Sequence, residues 1–289
     1  PCTVDGRTPP CAPAVAAAGI RRVVIGTADP NPRVNGAGIR FLHDAGIDVE
    51  AGVLELDCRR MVEAFAKHVL TGRAFVTGKI AATLDGRAAA VDGSSKWITG
   101  PTARRDAHRL RGSVDAVLVG VGTVLKDDPR LTVRLRGFKG RQPLRVVLDS
   151  SGRTPLQSSV LNAEAPTLVA VTDKAPEDAV AALRAHGAEV WRAPARDGRI
   201  DLAATLDFLG GRDVMEVMIE GGPAVLGDAV EHGLVDRYVF YLAPKLLGSS
   251  GLPAIAGFVT PTIAEARELV VHSVRHAGAD LRVEAYPRP

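Results

Sequence analysis

At 289 residues the chain has room for one large or two ordinary domains. Its formal charge of +3, from 36 basic and 33 acidic residues, is close to balance, so nothing in it calls for a nucleic-acid or membrane partner. Three cysteines exclude a secreted disulfide framework and place the chain in a reducing, cytoplasmic setting. No apolar run approaches the ~20 residues of a membrane span, and no signal segment is visible at the start.

The first elements surround a cysteine pair. Cys2 and Cys11 are followed by an Ala-rich helix ending at Gly19, with Cys11 in its first turn. A thiolate is favoured there and is the form that binds zinc. A catalytic zinc takes about three protein ligands and an open position, and no third ligand is evident nearby: His43 lies in another segment and Cys58 in a helical stretch. The plain alternative is two small buried thiols. The pattern then alternates: strand Arg22–Thr27, helix Gly36–Ala45, strand Ile47–Ala51, helix Leu54–His68. This reads as a mostly parallel α/β layer. About 70 residues of it bury both sheet faces poorly, so further chain or a partner domain is expected.

Thr71-Gly72-Arg73 punctuates the chain. Phe75–Ala81 reads as a strand, Asp85-Gly86 as a turn and Arg87–Val91 as a returning strand. Helix Pro101–Arg111 follows, with Thr99 or Thr102 as its cap, and Val114–Val119 is a buried strand. Further strands are expected at Leu144–Leu148, Thr167–Thr172, Glu189–Arg192, Val214–Ile219 and Tyr238–Leu242. Helices are expected near Glu177–His186, Leu202–Leu209 and Ala224–His232. Charged Arg192–Arg199 reads as a solvated loop. A terminal hairpin, Glu268–Val274 with Asp280–Tyr286, makes the second domain a mixed sheet with helices packed on it. A small sheet with an exposed edge is expected to pair, giving a homodimer or higher oligomer.

Dinucleotide-fold dehydrogenases, P-loop kinases and α/β-hydrolases are disfavoured. Gly36-Ala37-Gly38 and Gly120-Val121-Gly122 lack the third fingerprint glycine, and no Walker loop, H-E-x-x-H or G-x-S-x-G occurs. Two glycine turns stand at strand ends instead: Gly120-Val121-Gly122-Thr123 leading to Asp127, and Glu220-Gly221-Gly222-Pro223. Each alone is an ordinary tight turn. Together, beside carboxylates at the carboxyl ends of strands, they point to a nucleotide site. Trp97, in a polar loop, is either a core residue or a wall against a flat ring. Arg111 and Arg134 flank the first turn and are either solvated or a phosphate clamp.

Several ordered blocks resemble the bifunctional deaminase/reductase family of riboflavin biosynthesis. They are P-C-T-V-D-G-R-T-P-P-C at 1–11, A-D-P-N-P-R-V at 28–34, A-G-I-D-V-E-A-G-V-L-E at 45–55, L-D-G-R at 84–87 and W-I-T-G at 97–100. V-G-V-G-T-V-L-K-D-D-P-R-L-T at 119–132, R-V-V-L-D at 145–149, I-E-G-G at 219–222 and Y-L-A-P-K-L-L-G at 241–248 complete the set. The resemblance implies part of a cytidine-deaminase-like α/β/α zinc domain over 1–72. Over 73–289 it implies a dihydrofolate-reductase-like mixed-sheet domain that uses NADPH to reduce a ribosyl side chain to ribityl on a pyrimidine ribosylamine phosphate. By the same resemblance Cys2 and Cys11 are zinc ligands. Ala81, Trp97, Thr123, Asp127, Ser150 and the stretch Gly222, Pro223, Ala224, Val225, Leu226, Gly227, Asp228 meet NADPH. Ser95, Arg111, Leu131, Arg134 and Glu220 meet the substrate, the two arginines at its phosphate. Lys79, Asp127 and Glu220 stay open as candidate proton donors.

The family's H-A-E segment is not in this sequence, and Val4 stands where the family usually has histidine. The expectation is therefore a working reductase with negligible deaminase activity, the chain being N-terminally truncated. Two other readings are a fragment whose zinc site is completed upstream, and a nucleotide-binding homologue without turnover. The charged residues Arg111, Asp127, Arg134 and Glu220 weigh against the last.

Overall fold

The computed structural model describes residues 1–6 and 8–288. The chain divides into two compact units, Pro1–Arg73 and the remainder from Ala74.

The first unit runs α1 (Cys11–Ala17), β1 (Arg22–Ile25), α2 (Ala37–Asp44), β2 (Asp48–Ala51), α3 (Glu55–Met61) and α4 (Glu63–Thr71). β1 and β2 pair in parallel, Arg22 opposite Asp48. Ala12, Leu42 and Ile47 form its small core. Leu56, Met61 and Leu70 remain exposed on the last two helices. The expected single helix Leu54–His68 is two, because Val62, at φ −114°, leaves helical geometry between them. Cys58 packs against Gly26: a methyl group there would meet the Cys58 Sγ at 2.0 Å.

The second unit runs β3 (Phe75–Thr83), β4 (Arg87–Ala89), α5 (Pro101–Arg111), β5 (Ala116–Gly120), α6 (Val121–Asp127), β6 (Leu144–Leu148) and β7 (Thr167–Val171). It continues through α7 (Glu177–Ala185), β8 (Glu189–Arg192), β9 (Ala195–Arg196), β10 (Arg199–Ile200), α8 (Leu202–Gly210), β11 (Glu216–Glu220) and α9 (Pro223–Glu231). β12 (Arg237–Ala243), β13 (Leu252–Pro253), β14 (Leu269–Ala277) and β15 (Asp280–Pro287) close it. One nine-stranded sheet has the order β14-β15-β12-β3-β11-β5-β6-β7-β8. β12 through β8 are mutually parallel, and the β14–β15 hairpin is antiparallel. Val270, Val271 and Val274 lie exposed on the edge strand β14.

Period-two alternation explains why both faces are covered. Ala116 and Leu118 of β5, with Val217 and Ile219 of β11, join Leu206, Leu209, Leu226 and Val230 of α8 and α9 in one core. Val117, Val119 and Met218 point the other way and pack with Val121 and Val124 of α6 and Val180 and Leu183 of α7. The helices that follow the adjacent strands β5 and β11 therefore go to opposite faces. In an open sheet such a divergence leaves a crevice at the carboxyl ends of the two strands.

Four local expectations are corrected. Arg87–Ala89 pairs with β13 rather than returning on β3. Neither Thr99 nor Thr102 caps α5; Gly100 is the cap residue, and its N–H is taken by the Asp280 carboxylate at 2.6 Å. The charged run after Arg192 is not wholly loop, since β9 and β10 pair within it. The first glycine turn is helical, because α6 starts directly after Gly120.

Gly227 is fixed by packing: a Cβ would lie 1.7 Å from the Ala256 carbonyl oxygen, whereas one at Gly122 would meet nothing within 4 Å. Gly227→Ala is expected to destabilise by about 1–3 kcal/mol, and Gly122→Ala to be neutral or slightly stabilising. Urea unfolding of the two variants checks the contrast.

Candidate functional site

The crevice opens as a cavity of about 1040 Å³ at the carboxyl ends of β5 and β11. Strand register sets its floor. Glu220, last in β11, stands opposite Lys79 of β3. The Lys79 ammonium lies 3.4 Å from the Glu220 carboxylate. From the end of α5, Arg111 reaches the same carboxylate: its Nε donates at 3.0 Å and its Nη2 at 2.7 and 2.8 Å. Its Nη1 donates to the Thr132 carbonyl at 2.6 Å. The side chains of Arg111, Glu220 and Lys79 are only 9, 14 and 15 % exposed.

Burial alone would raise the Glu220 carboxyl, but the Arg111 guanidinium and the Lys79 ammonium outweigh it and bring it down to about 2. Glu220 is therefore a fixed anion at neutral pH. Among the described residues Glu220 is the one polar partner of the Lys79 ammonium, so two of its three N–H groups remain for a ligand.

The two arginines have separate roles. Arg111 spends its N–H groups on Glu220, Thr132 and His108. The Arg134 guanidinium is exposed at the cavity and makes no protein hydrogen bond or ion pair among the described residues. Partial burial, then repulsion from Arg111 and Arg130, lowers its pKa. A guanidinium held among other cations attracts an anion.

The segment that carries Arg134 is held in an unfavourable backbone form. Asp128 (φ 41°) and Leu131 (φ 55°) are both left-handed, a conformation that costs a non-glycine residue energy. Side chains fix it from several directions. The Asp128 carboxylate accepts from the Ser159 N–H at 2.7 Å and its hydroxyl at 2.8 Å. Arg145, wholly buried, donates to the Arg130 carbonyl at 3.5 Å, while Arg111 holds the Thr132 carbonyl. Leu131 itself is buried.

The opposite wall is the glycine turn from β11 to α9. Gly221 (φ 92°) and Gly222 (φ 79°) have backbones that a side chain would strain. Pro223 opens α9. Gly120 faces this turn so closely that a Cβ would lie 2.9 Å from Val225. Trp97 is 63 % exposed, which excludes the core reading. It lines the cavity with the Arg104 guanidinium 4.3 Å from its ring centre.

The cavity thus brings together Lys79, Ala81, Ser95, Trp97, Arg111, Thr123, Asp127, Leu131, Arg134, Glu220, Gly222, Pro223, Ala224, Val225 and Leu226. Ser150, Gly227 and Asp228 are not among its lining residues. The Ser150 carbonyl receives the Thr172 N–H and hydroxyl, Gly227 faces Ala256, and Asp228 pairs with His232 at 3.3 Å. Sequence reasoning missed His108, Arg104 and Lys126, which also line the cavity. The signal for His108 was its spacing: three residues before Arg111, it shares that residue's helix face.

In the first unit the Cys2 and Cys11 sulfurs lie 3.5 Å apart. Each backbone N–H of the pair donates to the other's sulfur, at 3.1 and 3.4 Å. The hydrogen bond from the Cys2 N–H, outweighing burial, lowers the Cys11 thiol. Two zinc-bound thiolates at bond lengths of about 2.3 Å and a tetrahedral angle would stand about 3.8 Å apart. The pair therefore suits half of a zinc shell. No third His, Cys, Asp or Glu joins it among the described residues; the group that does cluster is Asp228, Glu231 and His232.

A mostly parallel sheet with glycine turns and a cation-lined crevice at the carboxyl ends of its strands defines an α/β enzyme domain. Residues 74–280 match the family model described as the RibD C-terminal domain. The riboflavin biosynthesis protein RibD of Aquifex aeolicus is 42 % identical over 282 residues, covering 97 % of this chain and 77 % of that protein. The structure of Acinetobacter baumannii RibD superposes with a TM-score of 0.85 at 34 % identity, covering 100 % of this chain and 79 % of that one. A Thermotoga maritima diaminohydroxyphosphoribosylaminopyrimidine deaminase/5-amino-6-(5-phosphoribosylamino)uracil reductase gives 0.85 at 34 % identity, covering 100 % and 77 %. The chain belongs to the RibD family and carries its riboflavin-biosynthesis reductase domain. The mixed-sheet, dihydrofolate-reductase-like architecture expected for this half is the one present.

His108 ties the floor to the Arg134 segment. Its Nδ1 accepts from the Arg134 backbone N–H at 3.3 Å and stands 3.4 Å from Arg111 Nη1. Burial, then Arg111 and Arg134, lowers its pKa from 6.5 to about 4. Between those values the unfolded chain takes up a proton that the folded chain refuses, so stability falls as pH drops from about 6.5 to about 4. Glu220 adds a loss below its ordinary 4.5, as pH falls toward 2. His108→Gln is expected to flatten the fall in melting temperature between pH 6.5 and 4 and leave the lower part in place. Calorimetric melting of both proteins across that range checks it.

Proposed function

We propose that the second unit reduces 5-amino-6-(5-phosphoribosylamino)uracil, the substrate named for the Thermotoga maritima relative, at the sugar C1′, using NADPH and giving a ribityl side chain. The observation that carries this reading is a single cavity with glycine turns and an exposed tryptophan on its walls and the unpaired Arg134 guanidinium at its rim. A phosphorylated sugar on a flat ring presents matching chemistry. The positive-φ glycines Gly221 and Gly222, and Gly122, where an added Cβ would meet nothing within 4 Å, leave room for a cofactor against backbone. Ala81, Trp97, Thr123, Asp127 and the stretch from Gly222 to Leu226 would hold it. NADPH, when bound, supplies the hydride; its preference over NADH rests on family membership.

In the open-chain imine of the substrate, hydride addition at C1′ moves the C=N π electrons to nitrogen, which must take a proton. Lys79 fills that role in this reading, because its ammonium lies in the cavity and Glu220 is already ionised. Glu220 keeps Lys79 aimed, and Arg111 keeps Glu220 in place. Ser95 and Leu131 bound the substrate side, and Arg134 takes the phosphate. Cys2 and Cys11 would supply two ligands to a zinc ion, and no deamination step is assigned to them.

Purified protein given this substrate is expected to oxidise NADPH steadily. Arg134→Ala is expected to raise KM for the phosphorylated substrate by about 10- to 100-fold, with a smaller effect on kcat. Absence of NADPH oxidation, or a loss confined to kcat, would contradict the assignment.

A further inference from the structure

His108 is the one imidazole on the wall of this cavity among the described residues, and the reaction outlined above gives it no task. Its Nδ1 is committed: the Arg134 N–H approaches at 3.3 Å and Arg111 Nη1 at 3.4 Å. Both are donors, so Nδ1 is the acceptor and the ring proton sits on Nε2. No described group accepts from Nε2. The ring therefore offers a hydrogen-bond donor beside the Arg134 backbone, at the part of the cavity where cations collect.

Resting on the assignment of Arg134 to the substrate phosphate, we infer that His108 is a second phosphate-recognition residue, with Nδ1 holding the Arg134 backbone and Nε2–H donated to a phosphate oxygen. The charged groups that face it come from every side: Arg111 on its own helix, Arg134 on the following segment, Lys79 on β3 and Glu220 on β11. Burial, and then three cations against one carboxylate, keep the ring neutral, and a neutral ring retains the acceptor that Arg134 needs. A third fixed charge would bind phosphate too, but it would repel the guanidinium it is meant to position. Neutrality also keeps this part of the grip independent of pH above about 6, a range in which an imidazole of ordinary pKa would be titrating.

The test is calorimetric binding of 5-amino-6-ribitylaminouracil with and without its 5′-phosphate to the full chain, for wild type, His108→Leu, His108→Gln and Arg134→Ala. His108→Leu is expected to weaken the phosphorylated ligand by about 10- to 100-fold and the unphosphorylated one by less than about threefold. Glutamine, which can accept at Oε1 and donate at Nε2, is expected to recover most of the loss. Equal weakening of both ligands by His108→Leu would make His108 a structural support and overturn the inference. So would an unchanged His108→Leu beside a phosphate-selective loss in Arg134→Ala, an outcome that leaves the Arg134 reading standing. If neither variant discriminates between the ligands, the phosphate assignment itself fails and takes the inference with it. Should the leucine variant not fold, His108→Asn, whose shorter amide withdraws the donor, is expected to show the same selective loss.

Discussion

The buried ion network of Arg111, Glu220 and Lys79 is the constraint on which the rest of this site depends. Taking three charges into a crevice costs desolvation energy that their attraction returns only with good geometry. Here the geometry comes from the backbone. Parallel register places Lys79 beside Glu220, and the last turn of α5 delivers Arg111. The reward is definition rather than stability: a carboxylate that stays ionised, paired with the Lys79 side chain on the cavity floor.

From this floor two supports extend. Arg111 passes through His108 and the Thr132 carbonyl to the segment carrying Arg134. That segment includes two left-handed non-glycine residues, and the side chains of Asp128, Arg145 and Arg111 hold it in place. On the other side, Glu220 ends its strand directly at Gly221 and Gly222, so the residue that fixes the floor also starts the glycine cradle. The charged floor and the cradle are thus built into consecutive residues of one strand-turn-helix, and small shifts in the network would be felt at both ends of a bound ligand.

Much of this was legible in the sequence, for identifiable reasons. Helix α5 was readable because Pro101 begins it and Gly112 follows its last residue. The buried strands β5 and β11 were readable from short apolar runs ending in glycine turns. Both turns were correctly placed at strand ends, yet α6 was missed because glycines at its start masked a helical turn. The break at Val62 was invisible, since Leu54–His68 has helical composition throughout. Most of the residues expected at the ligand do line one cavity. What sequence could not give was the division of labour: Arg111 and Arg134 look alike as letters, and only tertiary contacts commit one to Glu220 and leave the other open. His108 was overlooked for the same reason, because a histidine in a charged helix reads as solvated until its neighbours are known.

The central claim is that Lys79, held by an ionised Glu220, delivers the proton that accompanies reduction. Lys79→Met tests it most directly, because Arg111 still pairs with Glu220 when the ammonium is gone. Single-turnover NADPH oxidation is the measurement, with NADPH and substrate affinities determined alongside. The account predicts a fall in the reduction rate of about 10²- to 10⁴-fold with both affinities little changed. A rate within about tenfold of wild type would contradict it and send the proton through another group, with Asp127 next in line.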